Sequence, residues 1–153
     1  MGRDRTNAEN HMKSECEFDI NDVLSKPVFA HLATASPDGP RESPLWFLWE
    51  DDSLWFIGAS SDSFPKRIQA DGRCAVGIID FDLNAGHLRH VGFRGNAVVE
   101  KIDGERLLRF LHRYIGSPNQ WNKDFKKNII DSLDLMIRFV PTSIVARDQS
   151  YFK

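Results

Sequence analysis

Between residues 28 and 102 the chain sets short apolar runs between tight polar turns, the rhythm of hairpin-connected strands. Residues 28–36, VFAHLATAS, read as a buried strand in which His31 is a satisfied core histidine. The turn Pro37-Asp38-Gly39-Pro40 closes it, so the strand predicted over 41–49 pairs back antiparallel. The acidic turn Glu50-Asp51-Asp52-Ser53 leads to a third strand, 54–59. A serine-rich elbow then enters a helix over 64–70, capped by Asp62 or Ser63, with Pro65 in its first turn. Further strands are predicted at 73–81 and 87–102, the second bent near Gly92 or Gly95.

The period then changes. Leu107, Leu108, Leu111 and Ile115 form an apolar stripe on a helix over 103–115, capped by Asp103 and stopped by Gly116. A second helix, 120–132, carries Trp121, Phe125 and Ile129 at four-residue spacing. Two last strands, 133–140 and 143–147, are separated by Pro141-Thr142. Ahead of all this, Asp19 caps a short helix over 20–25 that Pro27 ends. Residues 1–17 show no periodicity and read as a flexible segment before a single domain, 18–153.

Seven strands at short spacing, with helices inserted late, predict a mainly β fold: a barrel whose flank and ends the helices cover. Leu45, Trp46, Phe47, Leu48 and Trp49 are apolar in succession, so that strand has both faces covered. A second copy of the chain is the economical cover for Trp46, Trp49 and Trp55.

Length and composition narrow the function classes. The 153 residues suffice for one core, and a net charge of −2 lacks the basic footprint of a nucleic-acid binder. No apolar run approaches the roughly 20 residues that span a bilayer, and no secretory h-region is apparent. Cys16 and Cys74 have no metal-ligand spacing; a reduced, cytoplasmic protein is the plain expectation.

Candidate chemistry concentrates at the elbow. Ser60, Ser61 and Ser63 precede the helix over 64–70, and Lys66 and Arg67 lie in its first turns. Cations there oppose the helix dipole, so the group either binds an anion such as phosphate or consists of caps and solvated charges. Arg41 can reach the same anion. Pro44 cannot donate to a ladder, so the backbone from Ser43 to Trp46 either meets a planar heterocycle or belongs to a bulged edge. His87 and His90, with Arg89 and Arg94, lack a third metal ligand and read as phosphate or substrate contacts or as a solvated loop. No glycine-rich dinucleotide or Walker loop occurs, and no residue is singled out as an acid or base.

The run LATASPDGPRESPLWFLWEDDSLWF resembles the pyridoxamine 5′-phosphate oxidase-like family of FMN-binding split barrels. The likeness continues through Ser63, Lys66 and Arg67, then Asp71-Gly-Arg-Cys-Ala-Val and His90-Val-Gly-Phe-Arg-Gly-Asn-Ala. The resemblance implies a six-stranded antiparallel split barrel, a homodimer with the cofactor at the subunit interface, and flavin-mediated hydride or electron transfer on a small-molecule substrate. It implies phosphate contacts from Arg41, Ser43, Ser61, Ser63, Lys66 and Arg67, ring contacts from Leu45 and Trp46, and further contacts from His90 and Arg94. FMN is the implied cofactor; the alternatives are a deazaflavin-dependent reductase, which similar barrels support, and a non-catalytic flavin- or haem-binding stress protein.

Overall fold

The computed structural model describes residues 12–152. Its strands are β1 (Lys13–Cys16), β2 (Ala30–Thr34), β3 (Arg41–Leu45), β4 (Leu48–Glu50), β5 (Ser53–Gly58), β6 (Arg73–Asp82), β7 (His87–Lys101) and β8 (Leu135–Asp148). The helices are α1 (Asn21–Leu24), α2 (Ser63–Ala70), α3 (Gly104–Ile115) and α4 (Lys123–Asn128). One sheet runs in the order β3-β2-β6-β7-β8-β5-β4, with β1 beside β8. All pairings are antiparallel except that of β1 with β8.

The two ends of that order are joined in the chain by Trp46 and Phe47 alone. The stretch 41–50 is therefore one bent strand, paired with β2 in its first half and with β5 in its second. That closes the sheet on itself as a split barrel, mainly β as predicted. The predicted six strands become eight because the bent strand counts twice and β1 is added. At the bend the Tyr114 hydroxyl of α3 replaces a strand partner. It accepts from the Phe47 N–H at 3.0 Å and donates to the Val28 carbonyl at 2.8 Å.

Clean alternation builds the interior. In β6, Cys74, Val76 and Ile78 point inward and Arg73, Ala75 and Ile79 outward. They meet Leu32, Phe56, Phe93, Ile137 and Phe139 in the main core. A smaller cluster of Trp55, Ile57, Phe110 and Met136 lies under α3. This corrects the expected cover of the apolar hairpin: the chain's own helix covers Trp46 and Trp55, and the barrel core takes Trp49. Trp55 is 3% exposed, Trp46 stacks on Tyr114 at 4.9 Å, and Trp49 tilts onto Phe93. Glu50 fastens the helix, bonded to Arg106 and Arg109, while Arg106 lies 3.6 Å over the Trp55 ring. Hydrogen bonding from Arg109, aided by Arg106 and opposed by burial, holds the Glu50 carboxyl below its usual range.

Three further expectations change. Of the segment 1–17 expected to be flexible, residues 1–11 lie outside the described residues, and 13–16 are a strand, although every residue of it is exposed. Beyond Pro141-Thr142, β8 has left β5 and offers a free edge, which β1 takes from Ser143 to Ala146. Arg147 secures β1 through Glu15 at 3.0 Å. That edge swap also explains why 133–147 forms one strand: the proline falls where β8 changes partners. Opposite it, a Cβ on Gly95 would lie 2.2 Å from the Val140 carbonyl oxygen, so only glycine permits the bulge. Lastly, the helix predicted over 120–132 is broken, because Asn122 caps a new start, accepting from the Asp124 N–H at 2.8 Å. No helix of the described residues is long and apolar enough to cross a membrane.

Candidate functional site: a cationic elbow, an apolar shelf and an outer groove

Among the described residues β3 pairs on one side only, with β2, which leaves its other edge open there along Arg41 to Leu45. The chain leaving β5 turns through residues 59–62 into α2, which packs against β2 and β7. Arg67, in the second turn of α2, donates from Nε to the Thr34 hydroxyl at 2.8 Å and from Nη1 to the Ser63 hydroxyl at 3.0 Å. Thr34 lies opposite Arg41 in the ladder, and its hydroxyl is 3.5 Å from the Arg41 carbonyl, so the Arg41 backbone lies next to the residue that holds the guanidinium. Ser61 and Lys66 are exposed on the same elbow. Among the described residues, Arg41, Lys66 and Arg67 form no ion pair.

Part of the elbow is already committed. Asp134 accepts from both the Ser60 N–H and the Ser60 hydroxyl at 2.7 Å, and these bonds hold its carboxyl below the usual range. Asp62 turns back to accept from the Ala59 N–H at 2.8 Å, so it shapes the turn rather than capping α2. The donors left for an anion are on Arg41, Ser61, Ser63, Lys66 and Arg67.

Farther along the strand, Ser43 is half-buried opposite Leu32, and Leu45 and Trp46 reach an apolar shelf of about 250 Å³. Ile57 lines the shelf from the barrel; Phe125 and Ile129 line it from the far side. Arg41, Ser43 and Leu45 alternate to one side of β3, and four residues of strand separate elbow from shelf by about 13 Å. An anion at one end and a planar apolar group at the other fit that line.

His90 and Arg94 lie elsewhere. They face a groove of about 620 Å³ on the outer surface of the sheet, floored by Ala75, Gly77 and Gly92. The His90 ring lies across this floor, since a Cβ on Gly92 would come within 3.2 Å of its Cε1. His31 is here too, exposed and 2.6 Å from Glu42, not a core histidine as expected. Within one protomer, then, the elbow and the His90–Arg94 pair do not meet. His87 turns to the barrel end, where its Nε2 lies 2.9 Å from Asp80. Among the described residues no three metal-binding side chains converge.

The bent closing strand and the helix-covered hairpin define a split-barrel architecture. The chain belongs to the pyridoxamine 5′-phosphate oxidase family, whose model matches residues 18–134. No curated protein matches it. Among solved structures it is similar to an F420 reductase, at 26% identity and TM-score 0.62, over 81% of this chain and 94% of that one. It is also similar to a conserved protein of Mycobacterium tuberculosis, at 24% identity and TM-score 0.65, over 84% and 82% of the two chains. A FAD-binding protein of Mesorhizobium loti shares the fold at 16% identity and TM-score 0.57, over 84% and 89%.

Thr34 was not legible as a site residue. Its only signal is a hydroxyl among the small and apolar residues of LATAS, a pattern buried strands often contain.

Proposed function

We propose that this chain is a homodimeric flavin-dependent oxidoreductase that binds FMN and acts on a small molecule in the cytoplasm. The observation that carries the reading is Arg67, oriented by two hydroxyls and, among the described residues, without a carboxylate partner, as are the nearby Arg41 and Lys66. These groups would hold the phosphate, with Ser61 and Ser63 as hydroxyl partners. Leu45 and Trp46 would hold the ring on the shelf, and Ser43 would lie between. The bound flavin would supply hydride or electron transfer, and the protein would bind it, orient it and keep water from its face.

The outer groove supports the dimer. Ile79 and Phe81 are 47% and 55% exposed on the same sheet face as His90 and Arg94. An apolar sheet face of this kind calls for a partner. A second copy seated there would supply the His90 and Arg94 that the protomer's own elbow lacks.

The likeness to an F420 reductase favours a second reading, in which a deazaflavin replaces FMN and the same elbow takes its phosphate. The test is the visible spectrum of the purified protein, followed by titration with FMN, riboflavin and the deazaflavin. Tight FMN binding, stronger than that of riboflavin, is expected. Preference for the deazaflavin selects the second reading; a haem spectrum, or no binding of either cofactor, overturns both.

A further inference from the structure

We infer that Thr34 is a positioning residue for the phosphate end of the cofactor, acting through Arg67; the inference rests on the elbow reading above. Thr34 ends β2 and is 2% exposed, one of only three buried polar or charged side chains among the described residues. Its hydroxyl oxygen accepts from Arg67 Nε at 2.8 Å and lies 3.5 Å from the Arg41 carbonyl. One hydroxyl thus joins the end of β2, the start of β3 and α2.

The chemistry of the partners groups this arginine with Arg138, which donates to the Ser53 hydroxyl, and Arg113, which donates to backbone carbonyls, but only Arg67 lies at the elbow. Arg73, Arg89, Arg106, Arg109 and Arg147 each pair with a carboxylate. Arg67 is fixed by two neutral acceptors instead, Thr34 at Nε and Ser63 at Nη1. A guanidinium is planar, so two fixed bonds set the plane of the whole fork. Neutral acceptors do this without cancelling its charge. The remaining N–H groups on Nη1 and Nη2 stay available as a preoriented, fully charged pair of donors, the geometry that recognises phosphate oxygens. An arginine kept only to staple α2 to β2 would be better served by an acid at position 34.

Thr34→Val keeps the shape, removes the acceptor and frees the guanidinium to rotate. Fluorescence titrations with FMN and with riboflavin read the two ends of the cofactor separately. In the wild type FMN is expected to bind more tightly than riboflavin. Thr34→Val is expected to weaken FMN about tenfold, the worth of one hydrogen bond to a charged group, with riboflavin unchanged. Thr34→Ser, which restores the oxygen, returns FMN affinity to near the wild-type value. Equal loss for both ligands, or no loss for either, overturns the role of Thr34 while leaving the elbow reading in place. A wild type that does not distinguish FMN from riboflavin overturns both. Should Thr34→Val not fold, Thr34→Ala carries the same comparison, because it removes the acceptor without placing a methyl against Nε.

Discussion

At the scale of single residues, the polar groups that matter are those whose partners differ from what their type predicts. Asp80 is a buried carboxylate at the barrel end, bonded to Lys26 at 2.5 Å and to His87 at 2.9 Å. Burial alone would raise its pKa; the Lys26 and His87 contacts outweigh that and hold it below the usual range. A depressed folded-state pKa stabilises the fold above the unfolded-state value, near 4 for Asp, and that contribution is lost as pH falls through the folded value. Asp80→Asn should therefore destabilise the protein by about 1–3 kcal/mol at neutral pH. In urea unfolding at stepped pH, the gap between the two proteins should close below about pH 4. A gap that persists in acid would mean the loss is one of packing. Arg67 shows the complementary case, a cation whose charge is left intact by neutral partners. The cations of the elbow were readable from the chain because they oppose the dipole of their own helix; the hydroxyl that aims one of them was not, because it comes from a strand 33 residues away.

At the scale of elements, α3 decides more than its own stability. The stripe of Leu107, Leu111 and Ile115 marks an amphipathic helix but does not say which surface it covers. It covers Trp46 and Trp55 of the hairpin, and its Tyr114 supplies the bond that the bent strand loses between β3 and β4. Tyr114→Phe leaves the half-buried ring on Trp46 but orphans the Phe47 N–H and the Val28 carbonyl. A loss of about 1–3 kcal/mol is expected by urea unfolding. A much smaller loss would show that water takes over at the bend. β1 makes the opposite point: four exposed residues with no apolar pattern become a strand only because β8 outlasts β5 and needs a partner.

At the scale of the whole molecule, the barrel covers its hairpin with its own helix, so the face left for a partner is the outer sheet. Ile79→Arg places a charge in the middle of that apolar face without touching the core. Sedimentation of the wild type should show a dimer and the variant a monomer with FMN binding weakened, since His90 and Arg94 of the partner are then absent. A monomeric wild type would place cofactor binding within one protomer. The short apolar runs, the turn residues between them and the capped helix over 103–115 were determined by the sequence alone, because each depends on neighbours a few positions apart. The elbow was determined the same way, with its serines and cations contiguous. What only the tertiary structure decided is everything that depends on distant contacts: the joining of the sheet's two ends through Trp46 and Phe47, the cover of Trp46 and Trp55 by α3, the separation of His90 and Arg94 from the elbow, and the orientation of Arg67 by Thr34. Periodicity records which face of an element is buried, but not what buries it.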